Sequence, residues 1–120
     1  DEIYQMFPNL YERRTSQGTR LSGGEQQMLA LARILRTGAN ILLLDEITEG
    51  LAPVIVKKLG EVLLQLKRKN LTILLVEQTF HFAAPIADRH YVMEHGQIVE
   101  EVHQAELATK TALLNTLLGV

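Results

Sequence analysis

Apolar positions along the chain follow two rhythms. From Gly24 onward, Met28, Leu31, Ala32 and Leu35 recur at helical spacing, while Arg33 and Arg36 lie largely off that face. Ser22, with Glu25 three residues later, has the spacing of a capping box, and Gly38 fits a helix stop. Ile41 to Leu44 is a short unbroken apolar run, which predicts a strand buried on both faces. Pro53 suits the first turn of a second helix whose buried face carries Ile55, Leu59, Val62, Leu63 and Leu66. Lys67, Arg68 and Lys69 close that helix, where cations complement its dipole. Leu71 to Glu77 reads as a second buried strand.

The rest of the pattern is shorter in period. A brief helix is expected from Phe80 to Ile86. "RHYVM" and "QIVEEV" flank Glu94-His95-Gly96, which reads as a hairpin turn. Gln104 to Leu118 predicts one or two short helices. At the start, Asp1 to Phe7 reads as a helix end, Pro8 opens a new turn, and Gln17-Gly18-Thr19 is a loop. Strands alternating with helices predict an α/β layer fold with a mainly parallel sheet and a C-terminal β-hairpin. No internal repeat or low-complexity stretch interrupts it.

Composition narrows the function classes. The chain has 120 residues, 47% of them apolar and 22% charged, which suits one small globular domain or part of a larger one. A formal net charge of −2 gives no nucleic-acid footprint. The absence of cysteine excludes disulfides and Cys-based metal sites. No apolar run approaches the ~18 residues of a membrane span, and "DEIYQMF" has no signal core, so a cytoplasmic protein is expected. The first residue is not Met, as in a processed, trimmed or expressed fragment. His81, His90, His95 and His103 lack metal-ligand spacing and read as surface or packing residues, and Arg13 and Arg14 as solvated.

Two stretches carry candidate chemistry. Asp45 and Glu46 end the first strand, where ligands gather in open α/β sheets. Neighbours on a strand point opposite ways, so one carboxylate could hold Mg²⁺ through water and the other orient or deprotonate an attacking water. The plain alternative is a buried strand followed by solvated acids. Ser22, Gly23 and Gly24 open a helix, where free N–H groups, the dipole and small residues favour phosphate. The plain alternative there is a capped helix start.

Together, "LSGGEQQMLALARIL" and "ILLLDE" resemble the signature motif and the Walker B strand of ATP-binding-cassette (ABC) ATPases, and the resemblance covers nearly the whole chain. It implies a P-loop NTPase fold, with residues 1–37 as the end of a helical subdomain and residues 38–120 as the C-terminal part of the catalytic core. It implies that Asp45 helps hold Mg²⁺ and that Glu46 is the catalytic base. Ser22, Gly23, Gly24 and Glu25 would contact ATP held by a second ATPase subunit in a head-to-tail dimer. "EGLAP", with Glu49, Gly50, Leu51 and Ala52, falls at the D-loop, and Gln78 takes the place of the switch histidine. An amide cannot carry a proton there, so the role left to Gln78 is hydrogen bonding.

"EGLAP", "LLVEQ" and "ADRHYVMEHGQIV" most resemble the ATPase subunits of branched-chain amino acid importers. The implied partners are that second subunit and transmembrane permease subunits at the inner face of the membrane, with no nucleic acid. Ile47 stands where the family usually has Pro, which bears on the turn aiming Glu46. No Gly-x-x-x-x-Gly-Lys-[Ser/Thr] phosphate loop occurs in the 120 residues, and the family's Q-loop is absent as well. What is present corresponds to the C-terminal half of a nucleotide-binding domain. Two other classes stand beside this one. A superfamily member acting on DNA or ribosomes would show coiled-coil or basic insertions, which are absent. A non-catalytic binding module would lack the phosphate loop altogether.

Overall fold

In the computed structural model, the described residues are 23–118 together with Gln5, Met6, Pro8, Tyr11 and Thr15. The expected helix end at Asp1 to Phe7, the 17–19 loop and the Ser22 cap lie mostly or wholly outside them. The chain forms two compact units, residues 1–78 and 79–120.

The first unit holds helix α1 (Gly23–Arg36), strand β1 (Ile41–Asp45), helix α2 (Pro53–Arg68) and strand β2 (Thr72–Val76). Helix α1 buries Gly24, Met28, Leu31 and Ala32, so the helical spacing marks its inner face. Gly38 takes φ +76° just past its end. Helix α2 starts at Pro53, whose missing N–H costs nothing at a helix N-terminus. It buries Leu59, Val62, Leu63 and Leu66, while Ile55 stays half-buried. Strands β1 and β2 pair in parallel from Ile41–Thr72 to Asp45–Val76. The helical crossover between them is the βαβ unit that parallel pairing requires.

The strands depart from the expected two-sided burial. In β1 only Leu42 and Leu44 are buried, whereas Ile41 is 62% and Leu43 71% exposed. On β2, Leu74 and Val76 are also exposed. Among the described residues nothing covers that face, so the run alternates like a one-sided sheet although its residues are apolar throughout.

The second unit opens with a single helical turn, α3 (Phe80–Ala83), shorter than the expected Phe80 to Ile86. Strands β3 (Arg89–Glu94) and β4 (Gln97–His103) form an antiparallel hairpin. Its two-residue turn, His95-Gly96, has positive φ at both positions (50° and 76°), as the hairpin twist demands. A single 3-10 turn (Gln104–Glu106) and helix α4 (Thr111–Leu118) follow, as expected for the tail. Val92, Val102 and Leu114 form the core of this unit, with Phe80, Leu107 and Leu117 packed on it.

Candidate functional site

The carboxylates end β1 in different ways. Asp45 is the last strand residue and lies on the exposed face with Ile41 and Leu43. Glu46 has already left the strand, with φ +50°, so the expected strand alternation does not govern its direction. An L-residue there is costly, and local bonds hold it in place. Its N–H donates to the Val76 carbonyl at 2.8 Å, and its own carbonyl accepts from Glu49 N–H at 3.5 Å. The chain therefore turns sharply at Glu46 and is half-buried at Ile47.

The segment after Glu46 is tied from two sides. Gln27, on α1, donates its side-chain amide to the Ile47 carbonyl at 3.2 Å. Thr48 donates its hydroxyl to Glu77 Oε2 at 3.1 Å. Glu49 and Gly50 are exposed, Leu51 is half-buried, and Leu51 N–H donates to the Thr48 carbonyl at 3.2 Å. Gln78 follows β2 directly and is exposed.

The paired glycines open α1 against this same segment. A Cβ on Gly23 would stand 3.3 Å from Leu51, and one on Gly24 would stand 2.5 Å from Ile55 Cγ2. Gly24 therefore permits a close approach between the α1 start and the 51–55 segment, a role separate from any anion. Glu25, half-buried in the first turn, complements the helix dipole. Ser22 is outside the described residues.

The first unit thus contains Gly23, Gly24, Glu25, the Asp45–Ala52 segment and Gln78. Sequence reasoning passed over Gln27, Thr48 and Glu77. Gln27 carried a signal, because it falls three residues after Gly24 and one before Met28, inside the apolar stripe of α1. A polar group there needs a partner. The Thr48–Glu77 bond spans 29 residues and leaves no mark in local spacing.

As a metal centre the site is sparse. Among the described residues no group of three or more His, Cys, Asp or Glu could hold an ion. Mg²⁺ is commonly bound by one or two carboxylates plus waters and substrate phosphates, so exposed Asp45 fits as one contributor. No helix among the described residues is long and apolar enough to cross a membrane.

The ABC transporter family matches residues 3–49. The chain is 43% identical over 119 residues to the high-affinity branched-chain amino acid transport ATP-binding protein BraG of Pseudomonas aeruginosa, covering 99% of this chain and 51% of that protein. It is 38% identical over 97 residues to the arginine transport ATP-binding protein ArtM of Bacillus subtilis, covering 81% and 40%. A solved ATP-binding cassette of an ABC transporter superposes with a TM-score of 0.85 at 25% identity, over 98% of this chain and 46% of that one. A nucleotide-free cassette gives 0.77 at 27%, over 92% and 44%. The chain spans about half the length of BraG and less of ArtM. Its α/β architecture is that of the ABC ATPase cassettes, and the chain belongs to the ATP-binding proteins of the ABC transporter family.

Proposed function

We propose that residues 1–120 work within a full-length cassette that hydrolyses ATP to drive an importer, with branched-chain amino acids as cargo. The observation that carries this is the placement of Asp45 and Glu46 at the carboxyl end of a parallel strand, with the loop after them bonded to the helix opened by Gly23-Gly24. The likeness to BraG supports the cargo.

In this reading Glu46 orients and deprotonates the attacking water, and Gln78 donates an amide hydrogen bond toward the γ-phosphate. Asp45 helps hold Mg²⁺, whose chemistry when bound is to offset phosphate charge. Ser22, Gly23, Gly24 and Glu25 face the ATP of a second ATPase subunit, and Glu49, Gly50, Leu51 and Ala52 lie at that same dimer interface. Permease subunits take up the resulting motion at the membrane. The phosphate loop that cradles the nucleotide is not in these 120 residues, so the full-length cassette must supply it.

Glu46→Gln in the full-length cassette tests the reading. ATP binding is retained while hydrolysis falls by ~10²–10⁴-fold, the range for loss of a general base. Hydrolysis at the unaltered rate overturns the assignment of Glu46.

A further inference from the structure

Thr48 is the buried polar residue beside the site, 8% exposed, and its hydroxyl donates to Glu77 Oε2 at 3.1 Å. Both ends of this bond border the proposed chemistry. Thr48 stands two residues after Glu46, and Glu77 immediately precedes Gln78. A backbone bond also joins the same two segments, from Glu46 N–H to the Val76 carbonyl at 2.8 Å. That backbone bond fixes where the two chains leave the sheet. It does not fix the path each takes beyond it, because Glu46 is already in a left-handed turn and Gln78 lies past the strand end.

We propose that Thr48 and Glu77 are a positioning pair, which sets the spacing between the Glu46 carboxylate and the Gln78 amide. The inference rests on the ATPase reading above. A second tie placed beyond the first turns a single pivot into two fixed points, so the segments cannot swing apart about the Glu46–Val76 bond. An ionised carboxylate can only accept, which makes the Thr48 hydroxyl the donor and leaves it one orientation. Partial burial keeps water from replacing the bond cheaply. The pair touches no reacting atom. Its effect passes through Glu46 and Gln78, so it belongs in the turnover step more than in nucleotide affinity.

The test uses the full-length cassette. Thr48→Val keeps the shape and removes the hydroxyl. It lowers kcat for ATP hydrolysis about tenfold, the scale of a small misplacement of reacting groups. KM for ATP stays within about twofold, as for an interaction made only in the transition state. Thr48→Ser, which restores the donor, returns kcat. Glu77→Ala lowers kcat in the same way, and the double variant is no slower than the slower single one, because both changes break one bond.

Unaltered kcat in Thr48→Val overturns the inference, as do independent, multiplying losses in the double variant. A loss that serine does not restore and that follows a fall in Tm also overturns it. If Thr48→Val is insoluble, the half-buried Glu77→Ala carries the same test: unaltered kcat overturns, and lowered kcat at constant KM supports. Glu46→Gln separates the two levels. Hydrolysis at the unaltered rate in Glu46→Gln overturns the assignment of Glu46 and this inference with it. Hydrolysis lost in Glu46→Gln but intact in Thr48→Val overturns this inference alone.

Discussion

Gln27 reaches from the first helix to the Ile47 carbonyl, 3.2 Å away, and so joins the segment opened by Gly23-Gly24 to the residue that follows Glu46. The two motifs are thereby connected within one chain. Ile47 stands where the resemblance leads one to expect Pro, and a backbone carbonyl would be offered by either residue. The bond therefore depends on the backbone path and not on the side chain at position 47.

Gln27→Leu should lower the unfolding free energy of the full-length cassette by about 1 kcal/mol, the worth of one partly buried hydrogen bond. Denaturant titration measures it. An unaltered midpoint would mean that water replaces the amide without cost.

Gly24→Ala should be worse, because its Cβ would meet Ile55 Cγ2 at 2.5 Å. That methyl is held on a stiff, branched side chain, so relief requires backbone movement. We expect a loss of about 1–3 kcal/mol, typical of overpacking. Ile55→Ala in the same protein should recover part of it, and strictly additive effects in the double variant would show that Gly24 matters for some other reason.

The exposed sheet face should govern how the 120-residue chain behaves alone. Ile41, Leu43, Leu74 and Val76 present an apolar patch on a two-stranded sheet. Surfaces of this kind associate. Light scattering should give an apparent mass above one chain, and Leu43→Lys with Val76→Lys should reduce it. A monodisperse single chain without those changes contradicts the expectation.

Acid should loosen the junction before α4. The Glu106 carboxyl is held below its ordinary range, first by the backbone N–H of His103 and then by the Lys110 side chain. A depressed folded value means that the stabilisation is present above the ordinary carboxylate pKa and is lost as pH falls through the lowered one. Lys110 is raised, chiefly by Glu106 and then Glu100, so its share is present below the ordinary lysine value and disappears as pH rises through the raised one. Protection of the Leu114 amide, bonded to the Lys110 carbonyl, against hydrogen exchange, taken relative to the intrinsic rate at each pH, should be greatest between those limits. Protection that is greatest outside that window would discount the pair.

The helices and the hairpin were legible because their signals are local. Met28, Leu31 and Ala32 mark one helix face, Pro53 marks a start, and His95-Gly96 fits a twisted two-residue turn. Burial of β1 was misjudged because an apolar run states what a strand can tolerate, whereas coverage depends on other elements. Ile41 and Leu43 are suited to two-sided burial, and the described residues cover one side. Asp45 and Glu46 could be located but not oriented, since the direction of Glu46 comes from a backbone angle that no spacing announces. The pairing of Thr48 with Glu77 joins residues brought near only when β2 lies down beside β1.

The left-handed backbone at Glu46 sets two demands against each other. Glycine would occupy φ +50° without penalty, and asparagine with little. A redesign guided by thermostability alone would replace Glu46 with one of them and report success, since the fold would tighten as the carboxylate vanished. With Glu46 as the base proposed above, thermal screening of variants at this position would rank them in the reverse of their usefulness. A tolerated gain in melting temperature here would be a warning, and only a paired measurement of turnover would reveal it.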